Sequence, residues 1–314
     1  MSACARLYRR HNSQNRNARR DIALAAITPR KERRVMTVIT PYERVALARA
    51  PSRPRARDYI GELFTDFFET HGDRLSGDDG AMLCGIALFG GLPLTVAATV
   101  KGTELESNIA SNFGMSGPAG YRKFLRAARQ AEKFSRPIIT FIDTPGASPS
   151  AEAEEQGQGE AIARCLYELS SLKTPVIAVI TGEGGSGGAL ALALADVVIM
   201  LENAVYSILS PEGFASILWK DVSRAAEAAG VMRLTAADLH RAGVADIIVR
   251  EPRVIPAGKA ALPRALRPAL RRVLEELRRL SPEELLRRRR ERYRARAHAL
   301  PILSDTIAER SPDI

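Results

Sequence analysis

The feature that most restricts this chain is Thr181-Gly182-Glu183-Gly184-Gly185-Ser186-Gly187-Gly188-Ala189-Leu190, where five of the seven residues from 182 to 188 are glycine. An apolar run from Pro175 to Ile180 leads in, and a small-residue apolar run from Ala189 to Ala195 leads out. That order predicts a buried strand, a glycine turn and a helix N-terminus. Glycine reaches backbone conformations closed to other residues and lets a second chain or a ligand approach closely. The first N–H groups of a helix have no acceptor inside the helix. A glycine turn placed there offers them to an anion or an oxyanion.

The surroundings of this turn read as a large α/β body. With 314 residues, 46% of them apolar, the chain can bury a sizeable core, and no run of 18 apolar residues suggests a membrane span. Cys4, Cys84 and Cys165 show neither Cys-x-x-Cys spacing nor the density of a disulfide framework, which points to a reducing compartment. The net charge of +10 is unevenly divided. Residues 1–57 carry 15 Lys/Arg against 3 Asp/Glu, and residues 251–314 carry 16 against 9, so the body between them is acidic. Any nucleic-acid role would belong to the basic ends.

Residues 1–57 read as a basic, disordered leader and linker, with an Arg-rich transit peptide as the alternative and Met36 as a candidate true start. Apolar positions 59/60, 63/64 and 67/68 predict a helix over 58–68. The loop from His71 to Gly80 reads as a solvated turn whose aspartates lack the spacing of a calcium loop. Ala81–Leu88 and Leu94–Val100 predict a hairpin, and 104–112 a short helix. A helix then follows Gly117-Pro118 and ends before Pro137. Strands are predicted at 137–143, 175–180, 196–201, 205–209 and 245–249. Helices are predicted through Ile162–Leu169, from Ser210-Pro211, and over 235–243. This alternation predicts an α/β domain over 58–252 with much parallel sheet. Residues 253–314 read as an Arg-rich helical extension. Leucines at 277, 280, 285 and 286 mark its apolar stripe, and its arginines read as solvated, docked on a partner, or an arm for an acidic partner.

Several chemistries are open at this point. Gly182-x-Gly184-x-x-Gly187 matches the dinucleotide fingerprint, with Glu202 where an acid would meet a ribose. Several strand–helix units precede it, however, and that fold needs fewer glycines. Asp143-Thr144-Pro145-Gly146-Ala147 ends a second buried strand, and two such turns after neighbouring strands would frame one pocket. None of His11, His71, His240 and His298 has metal-ligand spacing with another His or Cys. Ser186 with His71 leaves a Ser-His-Asp set open, but Gly185-Ser186-Gly187 lacks the nucleophile-elbow pattern. Glu152, Glu154, Glu155 and Glu160 read as helix-start acids.

Taken together the motifs closely resemble those of the alpha subunits of bacterial and plastid acetyl-CoA carboxylase carboxyltransferase. The resemblance rests on Asp58-Tyr59-Ile60, His71-Gly72-Asp73-Arg74, Gly77-Asp78-Asp79, Asn112-Phe113-Gly114, Gly120-Tyr121-Arg122-Lys123 and Asp143 to Ala147. It continues through Gly157 to Ala163, Gly182 to Leu190, Leu201-Glu202-Asn203, Ser210-Pro211-Glu212-Gly213 and Ile217-Leu218-Trp219-Lys220, covering about 36–250. It implies a crotonase-like β-β-α superhelix. The implied reaction moves a carboxyl group from carboxybiotin, delivered by a carrier protein, to acetyl-CoA, giving malonyl-CoA for fatty acid synthesis. It also implies a zinc-ribbon beta subunit in an alpha2beta2 assembly, a biotin carboxyl carrier protein, a biotin carboxylase and a cytoplasmic location, with the plastid stroma as the alternative. No metal is implied in this chain, which carries no zinc ribbon, biotin-attachment lysine motif or ATP-grasp signature. Carried onto these residues, Gly184 and Gly185 become oxyanion donors, Gly187 and Gly188 shape the helix start, and Gly146 and Ala147 line the substrate site.

The chain departs from the family pattern at Ser148-Pro149-Ser150, at Ala151-Glu152, at Gln156, and after Glu251-Pro252, where Arg253 replaces a glycine-rich segment. The first three lie beside the implied pocket, so a paralogue acting on another acyl-CoA is the alternative within the family. A dinucleotide-dependent enzyme is the alternative outside it.

Overall fold

The computed structural model describes residues 39–252 and 259–299. The candidate start at Met36, Cys4, His11 and the departure at Arg253 lie outside the described residues.

The core is one eight-stranded sheet in the order β1-β2-β3-β4-β5-β6-β8, with β7 pairing onto the far end of β5. Strands β1 (Thr65–Thr70), β2 (Met82–Phe89) and β3 (Leu92–Thr99) are antiparallel. Strands β4 (Ile138–Thr144), β5 (Val176–Gly185), β6 (Val197–Leu201) and β8 (Ile247–Val249) continue in parallel, and β7 (Val205–Ser207) runs parallel to β5. The hairpin predicted from residues 81–100 forms with Phe89 opposite Leu92. Its two-residue turn is Gly90-Gly91, both at positive φ (57° and 82°), the conformation such a turn demands. Every residue of β4 is buried, the pattern of a strand covered on both faces.

Helices α1 (Pro41–Arg49), α2 (Ala56–Leu63), α3 (Leu105–Ala110) and α4 (Pro118–Lys133) precede β4. Helix α4 buries Tyr121, Phe124, Leu125, Ala128 and Ala131, five of the six residues at helical spacing there, whereas the sixth, Phe134, is its C-cap and 57% exposed. Helices α5 (Ala151–Glu155), α6 (Gln158–Ser171) and α7 (Ser186–Ala193) flank β5. Helices α8 (Pro211–Trp219), α9 (Ala225–Met232), α10 (Ala236–Arg241), α11 (Ala261–Leu277) and α12 (Pro282–Ala299) complete the described chain. Ser210 caps α8 through Gly213 N–H at 3.0 Å, and Thr235 with Asp238 forms the capping box of α10.

Four readings change. The helix predicted over 58–68 stops at Leu63, because Phe64 turns extended and Thr65–Thr70 gains a place on the sheet edge beside β2. A helical spacing of apolar residues carried no information about that edge. The loop at 71–80 is a brace, not merely a solvated turn. Asp73 accepts the N–H groups of Leu75, Ser76 and Gly77, and Asp79 accepts that of Gly117, the N-cap of α4. Lys123, 2% exposed, closes the brace on Asp78 and the Asp79 carbonyl. Residues 41–57, read as leader and linker, form α1 and the approach to α2, with Arg53 only 1% exposed. The Arg-rich helix α12 is anchored rather than solvated along its length. Arg289 is 1% exposed and meets Asp196 and the carbonyls of Leu169, Leu172 and Thr174.

Candidate functional site

The two turns singled out in the sequence meet at the carboxyl ends of β4 and β5. Strand β5 does not stop at the first glycine but runs to Gly185, pairing Gly184 with Thr144 of β4 on one side and Tyr206 of β7 on the other. Helix α7 starts at Ser186, which takes φ 50°, a sharp turn for a residue with a side chain. Gly185 is its N-cap with no side-chain cap, so the first-turn N–H groups at Ser186, Gly187 and Gly188 have no intrahelical acceptor.

Four of the glycines are required by close approach, Gly184 among them because a Cβ there would sit 2.8 Å from Tyr206 Cδ2. A Cβ on Gly185 would sit 2.0 Å from the Pro145 carbonyl oxygen. On Gly188 it would sit 2.5 Å from Gly146 C and 2.6 Å from Ala147 N, and on Gly182 it would sit 2.4 Å from Asp143 Oδ1. The second turn therefore lies directly on the first. A Cβ on Gly187 would find Ile162 Cδ1 at 3.6 Å, and one on Gly146 would find open space. A pocket opens beside this junction, lined by Gly184, Gly185 and Pro145 with Val45, Arg49, Glu183, Val205, Ser207 and the start of α8. The six predicted site residues are thus brought together as one pair of touching turns. Gly184 and Gly185 also line the pocket, whereas Gly146, Ala147, Gly187 and Gly188 are not among its lining residues.

Around the turns lies a chain of alternating charges that the sequence reading missed. Asp143 accepts Arg55 Nη1 at 2.7 Å and Lys101 Nζ at 2.8 Å, and its Oδ1 also takes the Glu183 N–H at 3.1 Å. Lys101 donates to Glu183 at 2.8 Å as well. Arg49 Nε meets the other oxygen of Glu183 at 2.6 Å, and its guanidinium holds Glu212 at 2.7 Å and 3.2 Å. Burial pushes the Asp143 carboxyl upward, but Lys101 and then Arg55 outweigh it and hold the group below the usual carboxylate range. Below these, Arg53 donates to the Thr181 carbonyl at 2.8 Å and grips Glu251 at 2.6 Å and 2.9 Å. Three arginines of the segment read as a linker thus hold the glycine turn and its neighbour from behind. The signal that could have revealed them was the acidic body itself, which needs cations at its buried carboxylates.

Other candidates fall away by position. Glu202, placed where a ribose acid would stand, accepts the Glu251 N–H instead. His71 Nδ1 faces Asp78 and His240 Nδ1 faces the Ala245 carbonyl, so neither meets Ser186. No cluster of three or more His, Cys, Asp or Glu suited to a metal occurs among the described residues. The departures at 148–156 fit locally. Ser148 N–H donates to Ser116 O at 2.9 Å, and Ser150 caps α5 through Ala153 N–H at 3.1 Å.

Residues 3–297 match the family model described as acetyl co-enzyme A carboxylase carboxyltransferase-like. The chain is 59% identical over 218 residues, 69% of this chain and 80% of the relative, to the acetyl-coenzyme A carboxylase carboxyl transferase subunit alpha of Clostridium botulinum strain Eklund 17B. A relative in Natranaerobius thermophilus named as subunits beta/alpha is 52% identical over 259 residues, 82% of this chain and 43% of that one. Among solved structures, transcarboxylase 12S with methylmalonyl-coenzyme A and methylmalonic acid bound aligns at TM-score 0.60 and 18% identity, covering 76% of this chain and 45% of that chain. At that identity the likeness is one of fold, and the fold is the crotonase-like α/β arrangement the motifs implied.

Proposed function

The chain belongs to the acetyl co-enzyme A carboxylase carboxyltransferase-like family, and on that premise we propose that it works as the alpha subunit of the carboxyltransferase. In this role it carries a carboxyl group from carboxybiotin on a carrier protein to acetyl-CoA, giving malonyl-CoA. The observation that carries the reading is the match over residues 3–297, to which the two touching glycine turns give a chemical sense.

The pocket residues fit a small, flat, amide-bearing ring. Val45, Pro145, Val205 and Leu209 supply apolar walls, and Gly184 and Gly185 add backbone without side chains. When bound, carboxybiotin supplies the carboxyl group and, once that has left, a base for the acetyl methyl proton. The chain's own task is to stabilise negative charge. Gly184 and Gly185 act as the oxyanion donors, with Gly187 and Gly188 setting the open start of α7. Gly146 and Ala147 lie against Gly188 and hold that helix start in place. In this reading no acid–base side chain is required of this chain; His71 and His240 are engaged elsewhere.

A beta subunit completes the site. The fused beta/alpha relative supports that partner, and Ile208, between two residues that line the pocket, is exposed, as are Ile217 and Leu218 of α8. A zinc-ribbon beta subunit in an alpha2beta2 assembly, served by a biotin carboxyl carrier protein and a biotin carboxylase in the cytoplasm, is the fuller form of the proposal. Among the described residues, no helix is long and apolar enough to cross a membrane.

The test is co-expression of the full chain with a zinc-ribbon beta subunit, followed by malonyl-CoA formation from carboxylated carrier and acetyl-CoA. Transfer by the complex, absent from either chain alone, is expected. A stable complex that carboxylates another acyl-CoA but not acetyl-CoA would overturn the substrate assignment.

A further inference from the structure

Glu183 is the one ionisable residue within the glycine run, and its carboxylate lies in the pocket wall beside Gly184 and Gly185. A negative charge there opposes any negative charge that the adjacent backbone is meant to stabilise. The structure surrounds it with compensation. Arg49 Nε holds one carboxylate oxygen at 2.6 Å and Lys101 Nζ the other at 2.8 Å, with the Glu183 side chain only 13% exposed. Each cation is shared with a further acid, Arg49 with Glu212 at 2.7 Å and Lys101 with Asp143 at 2.8 Å. Asp143 in turn is held by Arg55 at 2.7 Å. The result is an unbroken alternation, Arg55, Asp143, Lys101, Glu183, Arg49, Glu212, running from the second turn through the first to the start of α8. Arg49 itself lines the pocket.

We propose that Arg49 and Lys101 are positioning residues for carboxyl transfer, acting through Glu183. They cancel its charge and fix the strand end, so that the backbone donors at Gly184 and Gly185 face developing negative charge without opposition. This rests on the carboxyl-transfer reading above. A tie that only held the fold together would not need to sit in the pocket wall, nor to meet both oxygens of the one acid in the glycine run.

The experiment uses the full chain assembled with its beta subunit, reading malonyl-CoA per assembled complex with acetyl-CoA and carboxylated carrier as substrates. An inactive wild-type complex would overturn the carboxyl-transfer reading itself, and an active one sets the reference. Arg49→Gln is expected to lower kcat about 10- to 100-fold, with KM for both substrates within about 3-fold, because one uncompensated charge now faces the donors. Adding Glu183→Gln removes that charge and is expected to return most of the lost kcat, and Arg49→Lys, which keeps the charge, to lose little. The proposal is overturned if Arg49→Gln leaves kcat intact, or if the double variant stays as slow as the single one. Failure of Arg49→Gln to assemble would place the pair in folding and overturn it equally.

Discussion

At the scale of single residues, the glycines divide into those that packing demands and those that leave room for something else. Gly185 and Gly188 have backbone of the 145–147 turn where a Cβ would go, and Gly187 does not. Gly185→Ala is therefore expected to cost about 3 kcal/mol by overpacking, and to lower activity partly through that displacement. A bulky replacement at Gly185 cannot by itself identify an oxyanion donor, since it would part the two turns whatever the chemistry. Gly187→Ala is the informative change. It is expected to leave urea-unfolding stability unchanged or about 1 kcal/mol higher, while transfer in the assembled complex falls several-fold because a methyl, with Ile162 Cδ1 at 3.6 Å, now stands on the bare helix start that the proposed role needs. Unaltered activity would remove Gly187 from the site. The presence of a glycine junction was legible in the sequence, since five glycines between an apolar strand and a small-residue helix have few other uses. Which glycines serve packing depended on Pro145 to Ala147 lying against them, a contact across 40 residues that local sequence does not encode.

At the scale of elements, both basic ends of the described chain prove to be parts of the body. Helix α12 reads as polar nearly all round, with Arg287 and Arg288 engaged by Glu284 and Glu291 on the surface. Arg289 goes inward, as does Arg292 three residues on, which meets Asp246 and the Asp196 carbonyl; the Arg289 pair with Asp196, 1% and 4% exposed, ties the helix to the start of β6. Asp196 also accepts the Val176 N–H at 2.8 Å, so the same carboxylate pins the start of β5. Arg289→Met is expected to lower unfolding free energy by about 3–5 kcal/mol, because a buried carboxylate loses its cation. The neighbouring exposed Arg290→Met should change it by no more than about 0.5 kcal/mol. Equal effects in a denaturant titration would refute the anchoring. Nothing in the run Arg287–Arg290 marks the third arginine as the buried one. Helical phase relative to Leu285 does so only once the helix is docked. The segment at 41–57 misled in the same way, because Arg-rich composition matches a solvated leader as well as it matches cations serving buried acids.

At the scale of the whole molecule, aspartates held by backbone N–H groups, by lysines of the body and by Arg55 set the response to pH. Asp73, Asp78 and Asp143 all titrate below the ordinary 3.8. For each, burial pulls upward and is outweighed, for Asp73 by backbone N–H groups, and for Asp78 and Asp143 chiefly by lysine. A depressed native pKa contributes stability that is complete above the unfolded value and disappears as pH falls through the folded one. Asp79, raised by burial, works in the opposite sense and above 3.8, its contribution lessening as pH rises through that higher range. Urea-unfolding free energy is therefore expected to be nearly level from pH 7 to about 5 and to fall steeply below about 4. A protein equally stable at pH 3 would show that these pairs contribute nothing. By itself the sequence determined the alternation of strands and helices, the hairpin, the helix caps and the two glycine turns. These rest on period, turn chemistry and backbone freedom within a few neighbouring residues. Only the tertiary structure decided that Thr65–Thr70 is a sheet edge, that the two turns touch, and that Arg49, Lys101 and Arg289 are the cations of Glu183 and Asp196. A charge pair such as Arg49 and Glu183 joins residues 134 apart, and a side chain's charge is the same wherever it lies, so only the fold selects its partner.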